Sequence, residues 1–307
     1  MKLNDLNDQY LFGEIEKHKY IDIMHKKHQI LFDYFDYLKQ TDIESITIGN
    51  ESIYVTVKGS NIKLFLDRFD RRFISIEMLN FHSIDPQERE LVFNLARSCR
   101  TILDVGANIG WYSMNFVQLP NVKEVYAFEP IPYIFQYLER HIGINEIENI
   151  STFNFGFSDT VGEKTFYWTK NETGSSSMKN IQERSRINKV KCKVTTIDHF
   201  LKNRNKSIDF IKCDVEGAEL FVFKGAIKTL KQCRPVIFTE MLRKWSKKFG
   251  YHPNDIINLL AALDYHCYGY INNKIEKIDY VTPELETTNY FFLHKTKHKN
   301  IMRKYMV

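Results

Sequence analysis

Residues Thr101–Ser113, TILDVGANIGWYS, constrain this chain more than any other stretch. A short apolar run (Ile102, Leu103, Val105) carries one carboxylate, Asp104, and breaks into a glycine loop, Gly106 to Gly110, at the start of a helix. A buried strand that turns at glycine into a helix N-terminus opens a nucleotide-binding α/β unit, because its free backbone N–H groups can hold polar ligand atoms. The loop reads G-A-N-I-G, so Asn108 stands where a dinucleotide loop has its second glycine. That glycine lets the backbone approach a pyrophosphate. With a side chain there a pyrophosphate is crowded, while a nucleoside ligand without phosphate still fits.

Beyond residue 101 strand and helix patterns alternate, as in a parallel sheet with right-handed crossovers. Strands are predicted at Thr101–Val105, Glu124–Phe128, Ile150–Phe157, Ile208–Asp214, Val236–Glu240, Tyr265–Tyr270 and Tyr290–His294. Helices are predicted at Trp111–Gln118, Ile134–Ile142, Ala218–Lys224, Ala226–Lys231 and Asn254–Leu263. No helix separates the last two strands, so the sheet should end antiparallel. The expectation is a seven-stranded doubly wound α/β domain over residues 99–307. A polar insert, about Glu163–Lys193, interrupts the alternation. Its ends, Thr165–Trp168 and Val190–Val194, read as paired strands, and its position suits a substrate lid, since long loops in compact domains tend to be functional.

Residues 1–98 read as a separate extension. Apolar residues from Leu11 to Leu38 recur at helical spacing. They predict an amphipathic helix packed on the body, or alternatively an arm that pairs with a second copy. Ile46–Ile48, Ile53–Val57 and Ile62–Leu66 are short β-type runs separated by Gly49-Asn50 and Gly59-Ser60-Asn61, which predict a small antiparallel sheet. Arg72–Met78 reads as a further strand. Asp85 as cap, Pro86 and Glu88 mark a helix start.

Among 307 residues, 43 basic and 38 acidic side chains leave a net charge of +5, and the basic residues are spread out, so nucleic acid is not an expected partner. The five cysteines, Cys99, Cys192, Cys213, Cys233 and Cys267, are odd in number and form no C-x-x-C pair, which fits a reducing compartment. The N-terminus lacks the apolar core of a signal peptide, and no run approaches the roughly 20 residues that cross a bilayer. A soluble cytoplasmic protein is expected.

In open α/β sheets the ligand lies beyond the carboxyl ends of the strands. Four predicted strands end in acids there: Asp104, Glu129 (in AFEP), Asp214 with Glu216 (in IKCDVEGAE) and Glu240 (in IFTE). Glu129 follows the glycine loop by about 20–25 residues, the slot from which an acid accepts ribose hydroxyls. Asp104 and the loop amides suit an amino-acid end, an ammonium needing an acceptor and a carboxylate needing N–H donors. Asn108 is placed to bond either the loop or that end.

In this order and spacing, DVGANIGWYS, AFEP, NFGFSDTVG, VTTIDHF and IKCDVEGAELFVFKGA resemble the FkbM family of S-adenosylmethionine (SAM)-dependent methyltransferases over roughly residues 100–270. The resemblance implies a class I methyltransferase, Rossmann-like fold and methyl transfer to a hydroxyl of a sugar, glycan or secondary metabolite. By position it implies cofactor contacts at Asp104, Gly106, Ala107, Asn108, Gly110, Glu129 and Pro130. It places Phe157, Ser158 and Asp159 near the adenine and turns Asp214 and Glu216 toward the reacting centre, with Asp214 also near the cofactor.

Transfer to oxygen calls for removal of the hydroxyl proton as charge develops. Candidate bases are Asp214, Glu216, Glu240 and His199, with the Asp214/Glu216 pair favoured because neighbouring carboxylates push each other's pKa apart. His199 reads as structural. The alternative for the pair is that Asp214 caps the following helix and Glu216 holds the cofactor. A divalent cation on Asp214 and Glu240 would suit hard oxygen ligands, but no tight ligand spacing supports it, and no metal is expected. A nucleic-acid methyltransferase would carry Asn/Asp-Pro-Pro-aromatic where this chain has Asp-Val-Glu-Gly. A nicotinamide-dependent oxidoreductase would want the missing glycine. A scaffold with a vestigial pocket would not need the strand-end acids.

Overall fold

The structure, a computed structural model, describes residues 1–84, 86–204, 206–271 and 274–305. The chain begins with three short helices, α1 (Leu3–Leu11), α2 (Lys17–His28) and α3 (Ile30–Tyr37). Gly13, at φ +75°, ends the first and breaks the long helix that the spacing suggested. α1 and α2 fold against each other through the stacked rings of Tyr10 and Tyr20, 4.6 Å apart. Leu6 is the one buried residue of α1, and α2 and α3 bury none. Among the described residues, none from α1–α3 belongs to the hydrophobic cores. The expected packing of this segment on the body is observed at its C-terminal end, where Leu38 packs against the core and the Tyr37 hydroxyl donates to the Leu79 carbonyl (2.5 Å).

Three strands follow, β1 (Ile43–Ile48), β2 (Ile53–Val57) and β3 (Lys63–Phe65), in an antiparallel sheet of that order. Both expected turns form, the second with Gly59 and Asn61 at positive φ. The segment expected as a strand at Arg72–Met78 is instead helix α4 (Ile74–Phe81). Ser75 and Met78 share its buried face, and the Ser75 hydroxyl donates to the Phe65 carbonyl (2.7 Å). The alternation in Ile-Ser-Ile-Glu-Met imitates a strand because that inward position is a serine. Helix α5 (Pro86–Ala96) comes next; its expected cap, Asp85, lies outside the described residues.

The remaining elements are β4 (Thr101–Val105), α6 (Trp111–Phe116), β5 (Glu124–Phe128), α7 (Pro132–Ile144), β6 (Ile150–Phe153), β7 (Gly156–Phe157), β8 (Gly162–Trp168), β9 (Asn188–Thr195), α8 (Ile197–Leu201), β10 (Phe210–Cys213), α9 (Glu219–Lys224), α10 (Ile227–Cys233), β11 (Val236–Glu240), α11 (Arg243–Lys248), α12 (Pro253–Ala261), β12 (Tyr265–Ile271), β13 (Lys274–Lys277), β14 (Asn289–His294) and α13 (Lys299–Tyr305). The central sheet has the order β13-β12-β14-β11-β10-β4-β5-β6. β14 runs antiparallel to both β11 and β12, as the sequence suggested. The sheet has eight strands, not seven, because β13 folds back antiparallel on the edge of β12. The strand expected at Ile150–Phe157 divides. β6 stays in the central sheet, and β7 joins β9 and β8 in a second sheet. Asn154 sits at the bend, its amide donating to the carbonyls of Glu129 (2.9 Å) and Pro130 (3.1 Å).

β4 lies between β10 and β5, and all five of its residues are buried, as a strand covered on both faces requires. One face packs on α5, α6 and α7, and its core runs on without a break into the small N-terminal sheet through Val55, Leu64 and Phe73. The other packs on α8, α9, α10 and α12. His141 of α7 pins the N-terminal sheet to the glycine loop. Its Nε2 accepts from the Phe65 N–H (2.9 Å), so Nδ1 carries the proton and donates to the Ile109 carbonyl (3.0 Å). β8 and β9 pair antiparallel from Gly162↔Val194 to Trp168↔Asn188, the hairpin expected at the ends of the insert.

Candidate functional site

A cavity of about 450 Å³ opens at the carboxyl ends of β4, β5 and β10. Gly106, Ala107 and Asn108 line it from the first strand end, Glu129 and Pro130 from the second, and Asp214 and Glu216 from the third. Gly106 is required at two levels. It takes φ +75°, and a Cβ there would sit 1.8 Å from the Asp214 carbonyl oxygen. That close approach brings the loop after β4 against the loop after β10. Asn108 adopts φ +50°, so it keeps the left-handed backbone of the glycine it replaces while filling the space above it.

Lys212 lies beneath these loops and was not anticipated. It is almost fully buried inside β10, and its Nζ donates to the Gly106 carbonyl (2.7 Å). The same ammonium lies 3.3 Å from Asp104 Oδ1 and 3.7 Å from Asp214 Oδ2. Burial alone would lower its pKa; Asp104 and Asp214 outweigh that and hold it raised. Asp104 is wholly buried and also accepts from the Ser113 hydroxyl (2.6 Å), so it braces the loop from below. The signal was present in Ile-Lys-Cys-Asp, a lysine inside an otherwise apolar strand with an acid two residues on.

Glu129 accepts the Asn108 N–H (3.1 Å) on one carboxylate oxygen and the Ile131 N–H (2.9 Å) on the other. Burial pushes its pKa up to about 7, partly offset by those two N–H groups. Each oxygen keeps a second lone pair, enough for a pair of ligand hydroxyls. Trp111 also lines the cavity; its indole N–H is buried and has no partner among the described residues. An unpartnered donor and an acid with spare acceptors, both on the cavity wall, suit a ligand that carries hydroxyls and an anionic group.

The loop after β10 is held by Glu219, a second residue the sequence did not single out. Its Oε1 accepts from the N–H groups of Val215 (3.1 Å) and Gly217 (3.0 Å), and the Tyr251 hydroxyl donates to Oε2 (3.1 Å). Asp214 therefore does not cap the next helix, whose start at Ala218 has no side-chain cap. Carboxylate oxygens of Asp214, Glu216 and Glu240 lie within 4.8 Å of one another. Burial, then Asp214 and Glu240, push the Glu216 pKa well above the usual carboxylate range. Such a trio is an acid–base cluster and also the hard-oxygen set that a divalent cation takes.

The other expected positions fall away from the cavity wall. Gly110, at φ +90°, starts α6 and packs so closely that a Cβ would meet Leu138 Cδ1 at 2.5 Å. Phe157 borders a small void of about 20 Å³ behind Gly106 and Pro130. Ser158 and Asp159 bond each other (3.1 Å), and the Ser158 N–H donates to the Thr195 carbonyl (2.9 Å). His199 is exposed, its N–H capped by Thr196 Oγ1 (2.9 Å). Two further segments complete the wall: α4, which the sequence did not single out, and the insert, which was expected near the carboxyl ends of the strands. Arg72, Ile74, Glu77 and Phe81 come from α4 and its approach, and Thr173, Gly174 and Ser176 come from the insert. Asp70 clasps the two together, its Oδ2 accepting the Thr173 N–H (2.8 Å) and hydroxyl (2.5 Å). No helix among the described residues is long and apolar enough to cross a membrane.

The Methyltransferase FkbM domain model matches residues 104–267, the span that supplies the glycine loop, Glu129 and the acid cluster. Methyltransferase sdnD of Sordaria araneosa is 26% identical over 189 residues, 52% of this chain and 70% of that protein. Methyltransferase 1 of Beauveria bassiana is 25% identical over 145 residues, 40% of this chain and 57% of that protein. The crystal structure of Methyltransferase FkbM from Methylobacillus flagellatus is 17% identical, with a TM-score of 0.41, over 74% of this chain and 55% of that one. More than half of the chain thus falls within one family model, and the chain belongs to the FkbM family of SAM-dependent methyltransferases.

Proposed function

We propose that this enzyme methylates a hydroxyl group of a sugar, a glycan or a glycosylated metabolite, and that the Asp214–Glu216–Glu240 cluster takes the hydroxyl proton. The observation that carries this reading is the approach of the three carboxylates within 4.8 Å of one another, Asp214 and Glu216 lining the cavity. Burial, then the neighbouring carboxylates, push the Glu216 pKa well above the usual carboxylate range, which suits the cluster to exchange a proton with the acceptor hydroxyl. Lys212 Nζ, 3.7 Å from Asp214, gives the cluster a cationic neighbour on that side. When bound, SAM supplies a methyl group already activated by its positive sulfur. The protein's part is then to align the acceptor oxygen and to receive its proton.

Glu129 is assigned to the ribose hydroxyls, and the Trp111 N–H with the loop amides to the carboxylate end. Residues 1–98 and the insert at about 163–193 form the acceptor side, the insert acting as a lid. Their polar groups, Ser83, Thr173, Ser176, Arg72 and Glu77, suit a polyhydroxylated acceptor.

Asp214→Asn and Glu216→Gln should each lower turnover by about 10²–10⁴-fold, with SAM affinity by calorimetry changed little. Full turnover in both would remove the cluster from proton transfer. EDTA should leave turnover unchanged; a loss restored by Mg²⁺ would assign the cluster to a cation. Mass spectrometry of glycans and metabolites from cells with and without the protein identifies the acceptor by a gain of about 14 Da on a hydroxyl, the increment of one methyl for hydrogen at the group the base deprotonates.

A further inference from the structure

The geometry points to residues 1–37 as a dimerisation arm whose partner is the same arm of a second copy. The arm buries a single residue, Leu6. It presents ten of the sixteen exposed large hydrophobic side chains found among the described residues. Its helices have nine, twelve and eight residues, lengths at which an isolated helix in water is marginal. Such an arm needs a surface to cover its apolar face.

Charge selects the occupant. Residues 1–37 carry five lysines and seven carboxylates, a small excess of negative charge that gives the arm as a whole no net pull toward anionic lipid or nucleic acid. Within the arm the signs separate. α2 holds Lys17, Lys19, Lys26 and Lys27 against Asp22 alone, while α3 holds Asp33 and Asp36 beside exposed Phe32 and Phe35; Lys39, just beyond α3, pairs with Asp36 (2.6 Å) and lies over the Phe35 ring, which leaves Asp33 and Phe32 for a partner. A two-fold axis that lays α2 of one copy on α3 of the other pairs basic with acidic and covers Phe32, and it does so twice. The arm joins the cavity wall through Tyr37, whose hydroxyl donates to the Leu79 carbonyl of α4 (2.5 Å).

Analytical ultracentrifugation of the full chain should give twice the 36.5 kDa chain mass at micromolar concentration. A monomer at 100 µM would overturn the proposal. Phe32→Asp with Phe35→Asp should give a monomer that binds SAM as the parent does; a dimer that survives both changes would overturn it. Lys19→Glu with Lys26→Glu should weaken the dimer at least tenfold, and adding Asp33→Lys and Asp36→Lys should restore it. Failure of that restoration, or monomers that sediment with phosphatidylserine-containing vesicles, would count against self-pairing.

Discussion

The glycine loop and the N-terminal arm are both built from short elements, yet the loop is held from every side and the arm is held by almost nothing. Gly106 and Ala107 donate to the Phe128 carbonyl, Lys212 grips the Gly106 carbonyl, and Glu129 receives the Asn108 N–H. Burying a leucine contributes about 1.5–3 kcal/mol, and Leu6 is all that the arm buries. Shape at the loop is therefore fixed within one chain by buried polar pairing. Shape at the arm depends on what lies outside the chain.

The sharpest way to break this contrast is Lys212→Met. Removing the cation leaves Asp104 and Asp214 without compensation, and breaking a buried pair in this way costs about 3–5 kcal/mol. Denaturant unfolding should register that loss, and adding Asp104→Asn should recover part of it. Next comes Glu129→Ala, which removes the proposed ribose acceptor and two hydrogen bonds, one from Asn108 of the loop and one from Ile131 after β5. SAM affinity should fall by at least tenfold in calorimetry, at about 1.5–3 kcal/mol per bond to a charged group; unchanged affinity would dissociate Glu129 from the cofactor.

His141 gives a smaller, pH-dependent effect. Burial, with help from Arg140, lowers its pKa to about 4, against an ordinary value near 6.5. Between these values the unfolded chain binds a proton that the folded chain refuses. The contribution of His141 is thus fully present above about pH 6.5 and is lost as pH falls toward 4. Imidazole nitrogen shifts should report the neutral Nδ1–H form down to about pH 4. The least effect belongs to the arm. Phe32→Asp with Phe35→Asp should shift the unfolding midpoint of the isolated chain by no more than about 0.5 kcal/mol equivalent. A larger loss would mean that the arm is integral to the fold.

What could be read from the sequence was whatever a local pattern reports. β4, its glycine loop and Glu129 follow from spacing along one βαβ unit, and the antiparallel end of the sheet follows from a missing helix. What could not be read was decided by contacts distant in the chain. Lys212 looks like an ordinary lysine until β10 lies beside β4. Ser75 hides the inner face of α4 until the Phe65 carbonyl takes its hydroxyl, and Asn154 bends the chain between two sheets only because the end of β5 receives its amide. The insert's place at the cavity was legible, but the α4 side of the outer wall was not, since α4 and the insert meet through Asp70 and Thr173, 103 residues apart.

That clasp sets a timetable for the nascent chain. At about 5–20 residues per second, a ribosome needs roughly 5–20 s between adding the carboxylate of Asp70 and adding its threonine partner. Until then the carboxylate is solvated, and the pocket lacks the wall that the insert supplies. Competence is thus acquired late, when the last of several widely spaced segments leaves the exit tunnel.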